Sequence, residues 1–234
     1  MFGLTMFDVI KTMMAPVEKI MTGLPGYLVV LFLMQLLWWF GIHGPNVMGA
    51  VTSPFMTKMM ATNLALYQAG EGVSASGVFY QAGSQYSIIA SPFEAGWRCP
   101  TGSGITGGLI IAILLFSKRD DFKAIAKLAI PCGIFNINEP IIFGIPMVMN
   151  PMFAVPFFLA PIACASLGYL VQYLGLCPLF VISVPWTTPV GLFGFLASSG
   201  NIMGGIWQAV IIIAVSTLIY TPFVIASNRQ EEAA

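Results

Sequence analysis

The run Gly133-Ile134-Phe135-Asn136-Ile137-Asn138-Glu139-Pro140-Ile141-Ile142-Phe143-Gly144-Ile145-Pro146 sets one carboxylate in an apolar, repeatedly broken segment. Outward from it, no other charged side chain occurs between Lys127 and Arg229. A charge in so apolar a stretch is costly to bury, and by default it marks a substrate or ion site with a polar partner. Between Leu128 and Asn150 the chain also carries Pro131, Gly133, Pro140, Gly144 and Pro146, too many interruptions for a straight helix. Irregular backbone at membrane depth persists only where protein buries it or a watery cavity borders it. The segment therefore predicts a broken or re-entrant hairpin with Glu139 facing a cavity.

Composition extends this reading to the whole chain. Of 234 residues, 58% are hydrophobic and 8% charged, and the mean hydropathy is +0.88; soluble domains carry about 25% charged residues. The chain reads as an α-helical integral membrane protein. Its net charge is zero and it has no basic run, so nothing points to a nucleic-acid partner. Cys99, Cys132, Cys164 and Cys177 are too scattered for a metal pair or redox motif and read as small hydrophobes. Residues 1–23 lack the pattern of a signal peptide. Met6, Phe7, Ile10, Met13, Met14, Val17, Ile20 and Met21 recur at helical steps, which predicts an amphipathic interfacial helix over 1–23.

A membrane-spanning helix needs about 20 apolar residues, which suggests about four full spans: 25–42, 102–117, 152–174 and 202–226. The first is placed with its start in the cytoplasm and Trp38 and Trp39 in an aromatic belt, and Gly104 and Gly108 in the second are spaced for close helix packing. The second ends at Lys118-Arg119-Asp120-Asp121-Phe122-Lys123, which with Lys127 marks a cytoplasmic loop. Residues 43–99 are too polar for one span, though 46–66 can form short helices or a dip into the protein. A second broken hairpin is expected over 178–200. Paired interruptions of this kind point to a midplane binding site in transporters. Four spans place both ends in the cytoplasm, with a tail at 229–234 and the substrate-binding unit over 24–228.

For Glu139 three readings stand at this level: a ligand for hydroxyls with Asn138 beside it, a cap on backbone amides near Pro140, or a proton-binding switch. His43 is the only histidine, serving either packing or ligand binding. Trp186, in Val184-Pro185-Trp186-Thr187-Thr188-Pro189, offers an aromatic face to a sugar ring or sits in an interfacial belt. Glu94 and Arg98, one turn apart, read as a structural pair. No phosphate-cradling glycine loop, CxxC or HExxH is present. No cofactor or metal is implied, and transport powered from elsewhere follows.

The run Gly133 to Pro146, then Asn150-Pro151 and Pro156-Phe157-Phe158-Leu159-Ala160-Pro161, resembles the enzyme IIC permease of the bacterial phosphotransferase system, lactose and cellobiose (diacetylchitobiose) branch. The Trp-Trp-Phe-Gly-Ile-His-Gly run ending at Gly44, the Phe116-Ser117-Lys118-Arg119 run and Val184 to Pro189 match it in the same order. The resemblance implies a multi-pass protein of the bacterial cell membrane that binds a disaccharide and presents its 6-hydroxyl to a phosphocysteine on a IIB partner. The chain itself is then a transporter component rather than an enzyme. Glu139 is implied to bind the hydroxyl and help withdraw its proton, with His43 and Asn138 as sugar contacts and Trp186 lining the pocket. Permeases of this branch are about twice as long, so the resemblance implies the C-terminal transport half alone, with a missing N-terminal half or a second copy as partner. A non-transporting truncated remnant and a proton-coupled secondary sugar transporter are the alternatives.

Overall fold

The computed structural model describes residues 20–21 and 23–232, the side chains of 229–232 apart. In chain order its elements are α1 (Leu24–Trp39), α2 (Gly44–Gln68), a hairpin of β1 (Val73–Ser74) and β2 (Gly77–Val78), α3 (Ser91–Trp97), α4 (Gly107–Phe116) and α5 (Asp120–Ile134). Then come α6 (Glu139–Gly144), α7 (Pro151–Tyr173), α8 (Leu192–Ala197) and α9 (Ile202–Val210), which continues through a π-helical turn (Ile211–Val215) into α10 (Ser216–Glu232). In the hairpin Val73 pairs antiparallel with Val78.

The helix starts follow from capping chemistry. The Asn150 side chain accepts from Met152 N at 3.0 Å, with Pro151 opening α7, and the Asn201 side chain accepts from Met203 N at 2.7 Å to open α9. Such caps satisfy backbone N–H groups that a first turn leaves without intrahelical partners.

Two buried cores share the long helices. One gathers Tyr27, Leu31, Met56, Phe93, Trp97, Val171, Phe180, Phe193 and Ile211. The other gathers Trp38, Leu109, Phe122, Ile141, Phe153, Phe157, Tyr220 and Val224. Helix α1 therefore runs from the first core to the second, α7 runs back, and α9 to α10 runs again from first to second.

Of the four expected spans, two form helices long and apolar enough to cross a membrane, Pro151–Tyr173 and Ile202–Asn228. Helix α1, of 16 residues, and α4, of 10, measure about 24 and 15 Å, short of the roughly 30 Å hydrocarbon core. Residues 44–68 form one helix of 25 residues in place of short pieces, with Pro54 inside it. The expected break over 128–150 is present in two places. Helix α5 passes through Pro131, the chain turns at 135–138, where Asn136 takes φ +66°, and it is irregular again at 145–150, where Met149 takes φ +58°.

Leu24 packs against the first core, and Asn228 bonds to the segment 116–118 beside the second; α2 returns from the Trp38 end of α1 to the first core, where Leu66 lies. The amphipathic helix expected over 1–23 lies outside the described residues but for 20, 21 and 23, of which Met21 packs with Val30, Met34 and Phe55. Residues 229–232 continue α10, so the helix extends into the expected tail.

Candidate functional site

His43, Asn138, Glu139 and Trp186, from four separate parts of the chain, line one cavity of about 890 Å³. Trp38, Asn46, Ser91, Glu94, Arg98, Cys99, Gly102 and Ser103 complete much of its wall. Small-molecule sites span about 300–1,000 Å³.

Glu139 is the first residue of α6 and is exposed to the cavity. Among the described residues it makes no hydrogen bond or ion pair, and the structure gives it no role as a cap. Its neighbour Asn138 is buried, and its Nδ2 donates to the Ser103 carbonyl at 2.5 Å. Asn138 thus pins the start of α6 to the loop before α4, with one face on the cavity.

His43 is the N-cap of α2: its Nδ1 accepts from Asn46 N at 3.2 Å. In the neutral ring this leaves the proton on Nε2, a donor available to a ligand. The imidazole also packs on Trp38, with ring centroids 4.8 Å apart and planes at 54°. The residue is both cap and cavity wall, so the packing and ligand readings are compatible. Trp38 is buried on the cavity wall, and Trp39 Nε1 donates to the Asn150 carbonyl at 3.3 Å.

Trp186 is 55% exposed. Its backbone, together with that of Thr188, is held by Asn136, whose Nδ2 donates to the two carbonyls at 2.5 and 2.9 Å. Arg98 Nε lies 3.1 Å from Glu94 Oε1, and this pair, expected to be structural, stands on the cavity wall. Arg98 offsets Glu94, which leaves Glu139 as the uncompensated charge. Sequence reasoning passed over Trp38, Asn136, Glu94 and Arg98 as site residues. The signal for the last two was present, since a pair of charges inside an apolar segment is itself unusual.

Chemically, the wall offers a free carboxylate acceptor, an imidazole N–H donor and aromatic surface, a set suited to a neutral ligand rich in hydroxyls. Among the described residues no cluster of His, Cys, Asp or Glu has the makings of a metal site. A second cavity, of about 370 Å³, is lined by Ile110, Ile130, Ile134, Ile212 and other mostly apolar residues and has no charged wall.

A family model described as "Phosphotransferase system, EIIC" matches residues 1–161. The chain belongs to the phosphotransferase system EIIC family. Among curated EIIC relatives, the oligo-beta-mannoside-specific EIIC component of Bacillus subtilis (strain 168) is 35% identical over 97% of this chain and 49% of its own length. The cellobiose-specific EIIC component of Lactococcus lactis subsp. lactis is 34% identical over 93% of this chain and 46% of its own. The crystal structure of the transporter ChbC, the IIC component from the N,N'-diacetylchitobiose-specific phosphotransferase system, superposes with a TM-score of 0.86 and 33% identity. That superposition covers 99% of this chain and 52% of ChbC. The chain spans about half the length of the EIIC relatives it matches.

Proposed function

We propose that this chain is the sugar-binding transport unit of an EIIC permease, taking a disaccharide of the cellobiose, lactose or chitobiose type and presenting it for phosphorylation by a IIB partner. The observation that carries this reading is Glu139, unpaired among the described residues and exposed in a cavity it shares with His43, Asn138 and Trp186. A carboxylate beside the attacking hydroxyl orients it and accepts its proton, while phosphoryl transfer otherwise needs positioning and charge stabilisation. His43 Nε2–H would donate to a neighbouring hydroxyl, and Trp38 and Trp186 would cover the C–H faces of the rings. The substrates named for the three relatives above, oligo-beta-mannoside, cellobiose and N,N'-diacetylchitobiose, support the class without choosing among its members.

The bilayer placement belongs to the same proposal. Leu115, Leu128, Ile202 and Leu218 point outward as exposed apolar side chains, as a lipid-facing surface requires. Lys118, Arg119, Lys123 and Lys127 mark the cytoplasmic end. Asn228 supports a cytoplasmic C-terminal end: its Oδ1 accepts from Lys118 N at 2.9 Å and its Nδ2 donates to the Phe116 carbonyl at 3.0 Å. On this orientation Leu24 lies toward the outer face and α2 is a crossing in its own right.

The test is calorimetric binding of cellobiose and chitobiose to the purified chain in detergent. Hydrogen bonds to a charged group contribute about 1.5–3 kcal/mol, so Glu139→Gln is expected to weaken binding by about tenfold or more, and His43→Ala to weaken it as well. Unchanged affinity in both variants overturns the assignment. Uptake of unmodified sugar without a phosphorylated IIB partner points instead to proton-coupled transport.

A further inference from the structure

We infer that Asn136 is the positioning residue that fixes Trp186 over the cavity and thereby sets the affinity for sugar; the inference rests on the sugar-binding reading above. Three segments with little regular structure meet at this side chain: the loop before α4, the turn before α6, and residues 183–190. Oδ1 of Asn136 accepts from Thr101 N at 2.6 Å, and Nδ2 donates to the carbonyls of Trp186 at 2.5 Å and Thr188 at 2.9 Å. Both amide protons and the carbonyl oxygen are thereby engaged, the full donor capacity of an asparagine.

Each tied segment carries part of the cavity wall: Gly102 and Ser103 from the first, Asn138 and Glu139 from the second, Trp186 from the third. The Trp186 ring is half exposed and has no aromatic partner among the described residues. The hydrogen bonds that hold it act through the backbone. Among the described residues the other hydrogen bonds of 183–189 are local, from Thr188 N to the Pro185 carbonyl at 3.0 Å and from Phe193 N to the Pro189 carbonyl at 2.9 Å. The Asn136 amide is the long-range hydrogen-bonded tie at Trp186, between Val184 and Val190, which pack on the first core.

The residue type is selective on two counts. Asn136 has φ +66°, a left-handed conformation in which asparagine is several-fold enriched among non-glycine residues. Aspartate has nearly the same shape and retains the acceptor for Thr101 N, but an ionised carboxylate has no proton to give the two carbonyls. Asn136→Asp thus repels the Trp186 arm while keeping the first tie. Asn136→Gly keeps the backbone conformation and removes all three ties.

The purified chain, labelled with 5-fluorotryptophan, reads this directly by ¹⁹F NMR, Trp186→Phe assigning the Trp186 signal. Asn136→Asp and Asn136→Gly are expected to move the Trp186 resonance without sugar and to leave that of Trp207 in place. Both variants are expected to weaken cellobiose binding by about tenfold, the equivalent of one net hydrogen bond. In a Trp186→Ala background, Asn136→Asp should add less than about a twofold further loss, since residues acting through one another are non-additive. Full additivity overturns the inference, as does an unmoved Trp186 resonance in either folded variant. Loss of fold in both variants also overturns it, because a positioning role leaves the fold intact. If the unmutated chain binds no disaccharide, the functional reading fails by itself, and the sugar-free spectra still decide the role of Asn136.

Discussion

A methyl group at Gly102 would lie 2.2 Å from Cγ of Asn138, on a residue whose φ is +91°. Neither strain has an easy release, because Asn138 is held to the Ser103 carbonyl and leads directly into Glu139. Overpacking costs about 1–3 kcal/mol and a left-handed alanine about 1–2 kcal/mol. Gly102→Ala is therefore expected to lower the unfolding free energy by about 2 kcal/mol and to weaken disaccharide binding, both measurable on the purified chain; unchanged affinity would separate the Asn138 turn from the site. His43 permits a sharper separation, because it combines two duties. An N-cap contributes about 1 kcal/mol, and asparagine is among the best cap residues. His43→Ala should lose both stability and affinity, whereas His43→Asn should recover the unfolding midpoint and leave binding weak. Recovery of both would reduce His43 to a cap.

At the scale of elements, close packing decides which helices pair. A Cβ at Gly108 would come within 2.2 Å of Ser216 Oγ and 2.5 Å of its backbone carbonyl carbon, so α4 and α10 touch almost backbone to backbone. Gly108→Ala must push them apart and is expected to cost about 1–3 kcal/mol in denaturant unfolding. Gly104, expected from its spacing to share this role, precedes α4 with φ +79° and lies against Phe157 instead. Spacing in sequence gave the motif but could not show that the helix begins three residues later. At the start of α5 the Arg119 guanidinium donates to both Asp121 oxygens, at 3.1 and 2.5 Å, and holds that carboxyl below the usual carboxylate range. A depressed folded pKa gives stability that is complete above the unfolded value, near 4, and is lost as the pH falls through the folded one. The pair is half exposed, so its contribution stays below about 1 kcal/mol. The stability difference between the parent chain and Asp121→Asn should accordingly shrink as pH is lowered from 7 to 3.

On the scale of the whole molecule, the parts that could be read from sequence are those where one physical cause acts alone. Uninterrupted apolar runs gave α7 and the last helix nearly to their ends, and the isolated charge of Glu139 led to the cavity. Helix α2 was hidden by its polar residues, part of which serve the interior: Asn63 is buried and exchanges bonds with Ser87, at 2.7 Å to the carbonyl and 2.9 Å from the amide. Such a helix looks too polar to cross, and a reading by hydropathy alone leaves it out of the count of spans. The meeting of Asn136 with Trp186, fifty residues away, depends on tertiary structure alone. The cavity also joins the two cores: Trp38 on its wall belongs to one, and Ala95 packs against the other. A ligand held there stabilises both at once. At a sugar concentration of 100 times Kd, linkage adds about 2.7 kcal/mol to the folded state, and the expected result is one unfolding transition that shifts as a whole. Glu139 is exposed and makes no hydrogen bond among the described residues, so Glu139→Gln should leave the sugar-free midpoint within about 0.5 kcal/mol and, with affinity about tenfold or more weaker, remove about half or more of the sugar-induced shift. Two transitions, of which sugar moves only one, would mean that the cores unfold separately and that the cavity belongs energetically to one of them.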